Sequence, residues 1–179
     1  MAITPIIHPL GFLRIPYSVL AQLDSRAIHY ILQPWHYLIR GTHIMTASIF
    51  FGMVALLDFR LMGFHKSMGM RPLAEGVLPW LYWTFGISFV TGLMLFFYDP
   101  VHVGSHGYFT AKLIFLVLAL VNTLVFRRYR FGAAFKPDGT MPASVQMAGF
   151  LSLLFWFGVM FCALLNTEAA PKVLLHYWG

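Results

Sequence analysis

Apolar residues in this chain come in four long runs rather than in alternation. The first covers about 37–59 and holds no charge from Gly41 to Leu57; the second, about 77–98, holds none at all. The third, about 108–126, is interrupted only by Lys112, and the fourth, about 143–166, is again uncharged. About 20 helical residues cross the roughly 30 Å of hydrocarbon in a bilayer. A spanning segment must satisfy its own backbone groups, which only helices and closed barrels do. Runs without alternation exclude the barrel, so the pattern predicts an all-α, integral membrane four-helix bundle.

The segment before the first run is not a fifth span, because Pro5, Pro9 and Pro16 interrupt its early part. Asp24 is placed to cap a short helix from Ser25 to Gln33, ended by Pro34. Ala27, Ile28, Ile31 and Leu32 share one face of it, which predicts an interfacial helix lying on the membrane. Between Met1 and Leu20 there is neither a basic start nor a sustained apolar core, so no cleavable signal peptide is expected. The chain divides into an N-terminal segment 1–35, a bundle 36–166 and a tail 167–179.

Composition agrees with the pattern. Hydrophobic residues make up 59% and charged residues 10%, against about 25% charged in soluble domains; mean hydropathy is +0.74. In a soluble protein a net charge of +6 would suit nucleic acid, but here the basic residues sit mostly between the runs, where they act on topology. Arg60, Lys66 and Arg71 follow the first run, and Arg127, Arg128, Arg130 and Lys136 follow the third. The segment 99–107 has no Lys or Arg, and the tail only Lys172. The positive-inside bias makes the two basic loops cytoplasmic and both termini periplasmic, although Arg14, Arg26 and Arg40 pull the other way. Trp35, Tyr37, Tyr98, Tyr108, Tyr177 and Trp178 would mark one interface, and Trp80, Tyr82, Trp83 and Tyr129 the other. The single cysteine, Cys162, excludes an intrachain disulfide and a Cys-rich zinc or iron–sulfur site.

The candidate chemistry lies in the histidines. His36 and His43 open the first span, His102 and His106 fall between the second and third, His29 precedes the first, and His176 is near the C-terminus. In the expected topology all six gather on the periplasmic side, with His65 opposite and His8 unplaced. At 100° per residue, His36, Arg40, His43 and Asp58 fall within roughly 60° of arc, together with Ala47 and Val54. Titratable groups are costly against lipid, so this face should turn into the bundle or toward a partner. A separate strip, Gly41, Ser48, Gly52 and Ala55, would permit close helix packing.

An imidazole inside an apolar bundle suits an axial ligand of haem. His43 and His106 are the expected pair for one b-type haem, with His36 and His102 able to replace either or to bind a propionate. Copper competes, since imidazole and thioether both suit it; His65, Met68 and Met70 form one such cluster. The ordinary alternatives are interfacial histidines bonded to water or backbone, and methionines that fill gaps, as expected for Met45, Met53 and Met94. Lys112 shares a face with Asn122, Phe115 and Ala119; it can snorkel or pair with Asp99, in a structural role or on an ion path. Asp58 with Arg60 reads as a helix-end anchor, and Glu168 and Asp99 border the histidine side. No catalytic set of paired carboxylates, nucleophile elbow or phosphate loop occurs.

Gly41-Thr42-His43 and Leu57-Asp58-Phe59-Arg60-Leu61-Met62-Gly63 resemble the first span of a family of small bacterial inner-membrane proteins with four spans. Val90-Thr91-Gly92, Phe109-Thr110-Ala111-Lys112 and Asn122-Thr123-Leu124-Val125-Phe126 continue the resemblance, which covers about residues 36–128. It implies a multi-pass protein of the bacterial inner membrane with His43 at the family's histidine position; His106 lies outside the shared pattern. In general look it is similar to b-type cytochrome and copper-resistance D membrane bundles, an analogy of fold only. The expectation is a subunit of a larger membrane complex, holding haem b or anchoring an electron-transfer partner, without catalytic activity of its own. Its partners would be lipid, other membrane subunits or a periplasmic redox protein. A structural accessory subunit of a respiratory or photosynthetic complex and a copper-handling protein are the alternatives.

Overall fold

The computed structural model describes residues 10–65, 67, 69–129 and 141–167, and these form helices with no strand among them. A 3-10 turn (Gly11–Leu13) precedes α1 (Tyr17–Leu23) and α2 (Arg26–Leu32). The long helices are α3 (His36–Leu61), α4 (Met70–Tyr98), α6 (Gly107–Tyr129) and α7 (Ala143–Thr167), with the short α5 (Pro100–Gly104) between α4 and α6. All four long helices are long and apolar enough to cross a membrane.

The helices run up and down. Leu61, Met70, Phe126, Met141 and Val145 pack together where α3 and α6 end and α4 and α7 begin. At the opposite end, Asn166 of α7 donates to the Val103 carbonyl of α5, and His29 of α2 donates to the Tyr98 carbonyl of α4. One end therefore carries His65, Arg71, Arg127 and Arg128, and the other His29, His36, His43, His102 and His106. α3 packs along α4, α6 along α7, and α3 against α7. α4 and α6 have few close backbone approaches and meet through stacked Phe96 and Phe109 rings 5.2 Å apart.

Phe50, Val54, Ala119, Trp156 and Val159 make the core, flanked by Leu81, Phe85 and Phe115, so every long helix contributes. The outer faces are as apolar as the core: Trp83 and Trp80 are 71% and 67% exposed, and Phe89 and Val90 are exposed too. A helix that is hydrophobic all round needs an apolar medium on its outer side as well. At α6·α7 the Asn122 side-chain amide donates to the Ala148 carbonyl at 2.9 Å. Such interhelical bonds contribute about 0.6–2 kcal/mol in apolar bundles. Asn122→Leu should therefore lower stability by about 1 kcal/mol in an SDS titration followed by circular dichroism.

Several expectations need correction. α2 ends at Leu32, close to the expected stop at Pro34, but the chain keeps a helical path: Pro34 sits in a 3-10 turn, Gln33–Trp35, and α3 follows directly. Asp24 is not a cap for α2; it terminates α1, and Ser25 stands at the N-cap without a side-chain bond. α4 begins at Met70, well before the apolar run, in a polar turn carrying an exposed Arg71–Glu75 ion pair at 3.3 Å. Among the described residues the glycines of the small-residue strip on α3 meet no neighbour: Cβ atoms at Gly41 or Gly52 would find nothing within 4 Å. The glycines at helix contacts are others. At Gly149 a Cβ would stand 3.0 Å from the Asp58 carbonyl, and at Gly158 2.8 Å from the Phe115 ring.

Candidate functional site

α3 turns one face inward, carrying Phe50, Val54, Leu57, Asp58 and Leu61, all buried. His43 lies in phase with them and is half-buried, whereas Arg40, expected on the same face, is exposed. The imidazole rests on α4. Its Nδ1 donates to the Ser88 carbonyl at 2.8 Å, with the Thr91 hydroxyl oxygen 3.3 Å away. That hydroxyl spends its own proton on the Ile87 carbonyl at 2.7 Å, so it too faces the ring as an acceptor. Two acceptors at Nδ1 place the proton there and leave the lone pair on Nε2. Gly92 makes the approach possible, because a Cβ at that position would stand 2.9 Å from His43 Cε1.

Lys112 belongs to α6 and Cys162 to α7. The ammonium lies within electrostatic reach of both His43 and Cys162. Cys162 is buried and Lys112 partly so. Asp99, expected as its partner, is used elsewhere: its carboxylate accepts the His102 backbone N–H at 3.0 Å as the cap of α5. Among the described residues Lys112 has no hydrogen bond or ion pair.

The other histidines gather in two groups. Tyr98 is stacked against His29 at 4.4 Å and against His36 at 4.2 Å between ring centroids; His36 Nδ1 is buried without a partner. His102 and His106 form an edge-to-face pair 5.6 Å apart, in which His106 Nδ1 donates to the His102 carbonyl at 2.9 Å. No hydrogen bond or ring contact joins His43 to His106 among the described residues. Nor do three His, Cys, Asp or Glu side chains gather there as a metal site.

At the opposite end, Asp58 is buried, on the stretch of α3 that lies against Gly149 of α7. His65 is exposed in the loop after α3, and Met70 packs beside Leu61 and Val145. Met68, Glu168, His8 and His176 lie outside the described residues.

Sequence reasoning located His43 but missed Ser88, Thr91 and Gly92 as its surroundings. A usable signal existed. Counted from the helix ends at 1.5 Å per residue, His43, Gly92, Lys112 and Cys162 all lie about 8–11 Å inside the same end. No protein-family model, curated protein or solved structure matches this chain.

Proposed function

We propose that this chain is a multi-pass subunit of a bacterial inner-membrane electron-transfer complex, with both termini periplasmic, that holds haem b through His43. The observation that carries the reading is the Nδ1 bond to the Ser88 carbonyl. Metal-ligating histidines commonly fix their tautomer in this way, through a carbonyl at the other nitrogen. The Nε2 lone pair is thereby held inside an apolar bundle, which suits an axial ligand. His106, whose Nδ1 is also tied to a carbonyl, is the second ligand in this reading, with His36 and His102 nearer the surface. Bound haem supplies a one-electron couple; the chain's own part is to orient the imidazole and to exclude water from it. Phe50, Phe85 and Trp156 close the bundle beneath.

The expected result is a Soret band from the detergent-solubilised protein after expression with adequate haem, lost in His43→Ala. A folded protein without that band sinks the proposal. Copper handling has one observation in its favour, the adjacent His102 and His106 rings. Copper retained by the same preparation, without a Soret band, and lost on His106→Ala would decide for that reading.

A further inference from the structure

The α3–α4 pair and the α6–α7 pair meet chiefly along α3 and α7, and those two helices hold a single acid, Asp58. It shares the buried face of α3 with Val54, Leu57 and Leu61, while Gly149 and Ser152 are buried on α7. Asp58 is 5% exposed, and its Oδ2 is buried without a hydrogen-bond partner. Gly149 brings the two helices close at this level. A Cβ there would stand 3.0 Å from both the Asp58 carbonyl oxygen and Leu61 Cβ, which leaves little room for water.

Charge is not placed to offset an ionised Asp58. Arg60 is buried as well, but residues two apart on a helix do not face each other. The other charged or titratable groups described at this end, His65, Arg71, Glu75, Arg127, Arg128 and Tyr129, are exposed, and Arg71 and Glu75 pair with each other at 3.3 Å. α7 carries no titratable side chain before Cys162, near its far end. A carboxylate can only accept hydrogen bonds. Buried with an oxygen unmatched, it is costly enough that a carboxyl group ordinarily keeps its proton instead. An ionisable residue inside an apolar bundle is also rare, and marks a functional group.

We infer that Asp58 is a proton-binding site whose proton closes the joint between α3 and α7. The neutral acid fits between the helices; the ionised one draws in water and parts them. The switch is independent of haem, which the proposed function places at the opposite end. Its sign follows from linkage. An unfolded aspartate ionises at about pH 4. Above that range only the folded chain keeps the proton, so stability is full in acid and falls as the pH rises. For one proton the folding constant drops by up to about tenfold per pH unit.

The test uses the detergent-solubilised full chain, unfolded in SDS and followed by infrared spectroscopy between about pH 5 and pH 9. Near neutral pH the wild type should show the carbonyl stretch of a protonated carboxylic acid, which Asp58→Asn removes and alkali abolishes. Asp58→Asn keeps the shape and loses the titration. Its unfolding midpoint should match that of wild type in acid and exceed it increasingly as the pH rises. Gly149→Ala, which wedges the helices apart, should move the loss of the infrared band to lower pH. An Asp58→Asn protein that is less stable than wild type near neutral pH, or does not fold, marks an ionised carboxylate with a basic partner and overturns the inference. So does a wild-type spectrum without the acid band, or a difference in midpoint that stays constant with pH. A band that disappears at the same pH in Gly149→Ala and wild type separates the proton from the joint and ends the switch.

Discussion

Trp156→Ala should destabilise the bundle by about 3–5 kcal/mol, the range for truncating a large buried aromatic. The indole is 6% exposed. It lies edge-on to Phe50 at 4.6 Å and to Phe85 at 6.0 Å, so one α7 side chain joins the rings of α3 and α4. Ala119 of α6, fully buried, completes the surround. Where the unfolded helices remain in lipid, the transfer part of this cost shrinks, because lipid tails are as apolar as the core. The cavity and the lost dispersion contacts remain, and they dominate. SDS titration followed by circular dichroism measures the effect. A Trp156→Ala protein within about 1 kcal/mol of wild type would show that the rings do not set the packing.

Gly92→Val should have the second largest effect and should act on His43 rather than on the fold. An added Cβ would stand 2.9 Å from Cε1 and 3.4 Å from Nδ1 of the imidazole, closer than real Cβ contacts allow. The ring has to leave α4, and the Ser88 bond goes with it. Haem affinity should fall as far as in His43→Ala, while stability falls by about 1–3 kcal/mol, the usual cost of overpacking. Gly86→Ala is the control on the same helix, because a Cβ there meets nothing within 4 Å. Equal haem binding by Gly92→Val and wild type would mean that the ring's seat on α4 is dispensable.

The four long helices were legible because charge is excluded from apolar surroundings, and the gaps between Arg, Lys and Asp therefore mark the runs. The same signal misplaced the start of α4: apolarity reports where a helix is immersed, and the turn with Arg71 and Glu75 is helical without being apolar. Small residues misled in a related way. Gly41 and Gly52 permit close approach but do not compel it, and the glycines at contacts are those opposite a specific neighbour, Gly92 under His43 and Gly158 under Phe115. Helical phase was enough to turn His43 inward with Phe50 and Val54. Its partner was beyond reach, since the Ser88 acceptor is a main-chain carbonyl and no residue type marks one.

The pairing of α3 with α4 and of α6 with α7 has a consequence for the order in which the protein matures. Each pair is consecutive in the chain, so the ribosome delivers the molecule as two hairpins, the first complete before the second has been made. The first hairpin already holds the imidazole on the Ser88 carbonyl; α6 and α7 arrive only with the second. A nascent chain ending after Tyr98 would thus present an oriented histidine with nothing opposite it. Closure of the bundle around His43 is thereby deferred until synthesis is nearly finished and the hairpins have joined along α3 and α7.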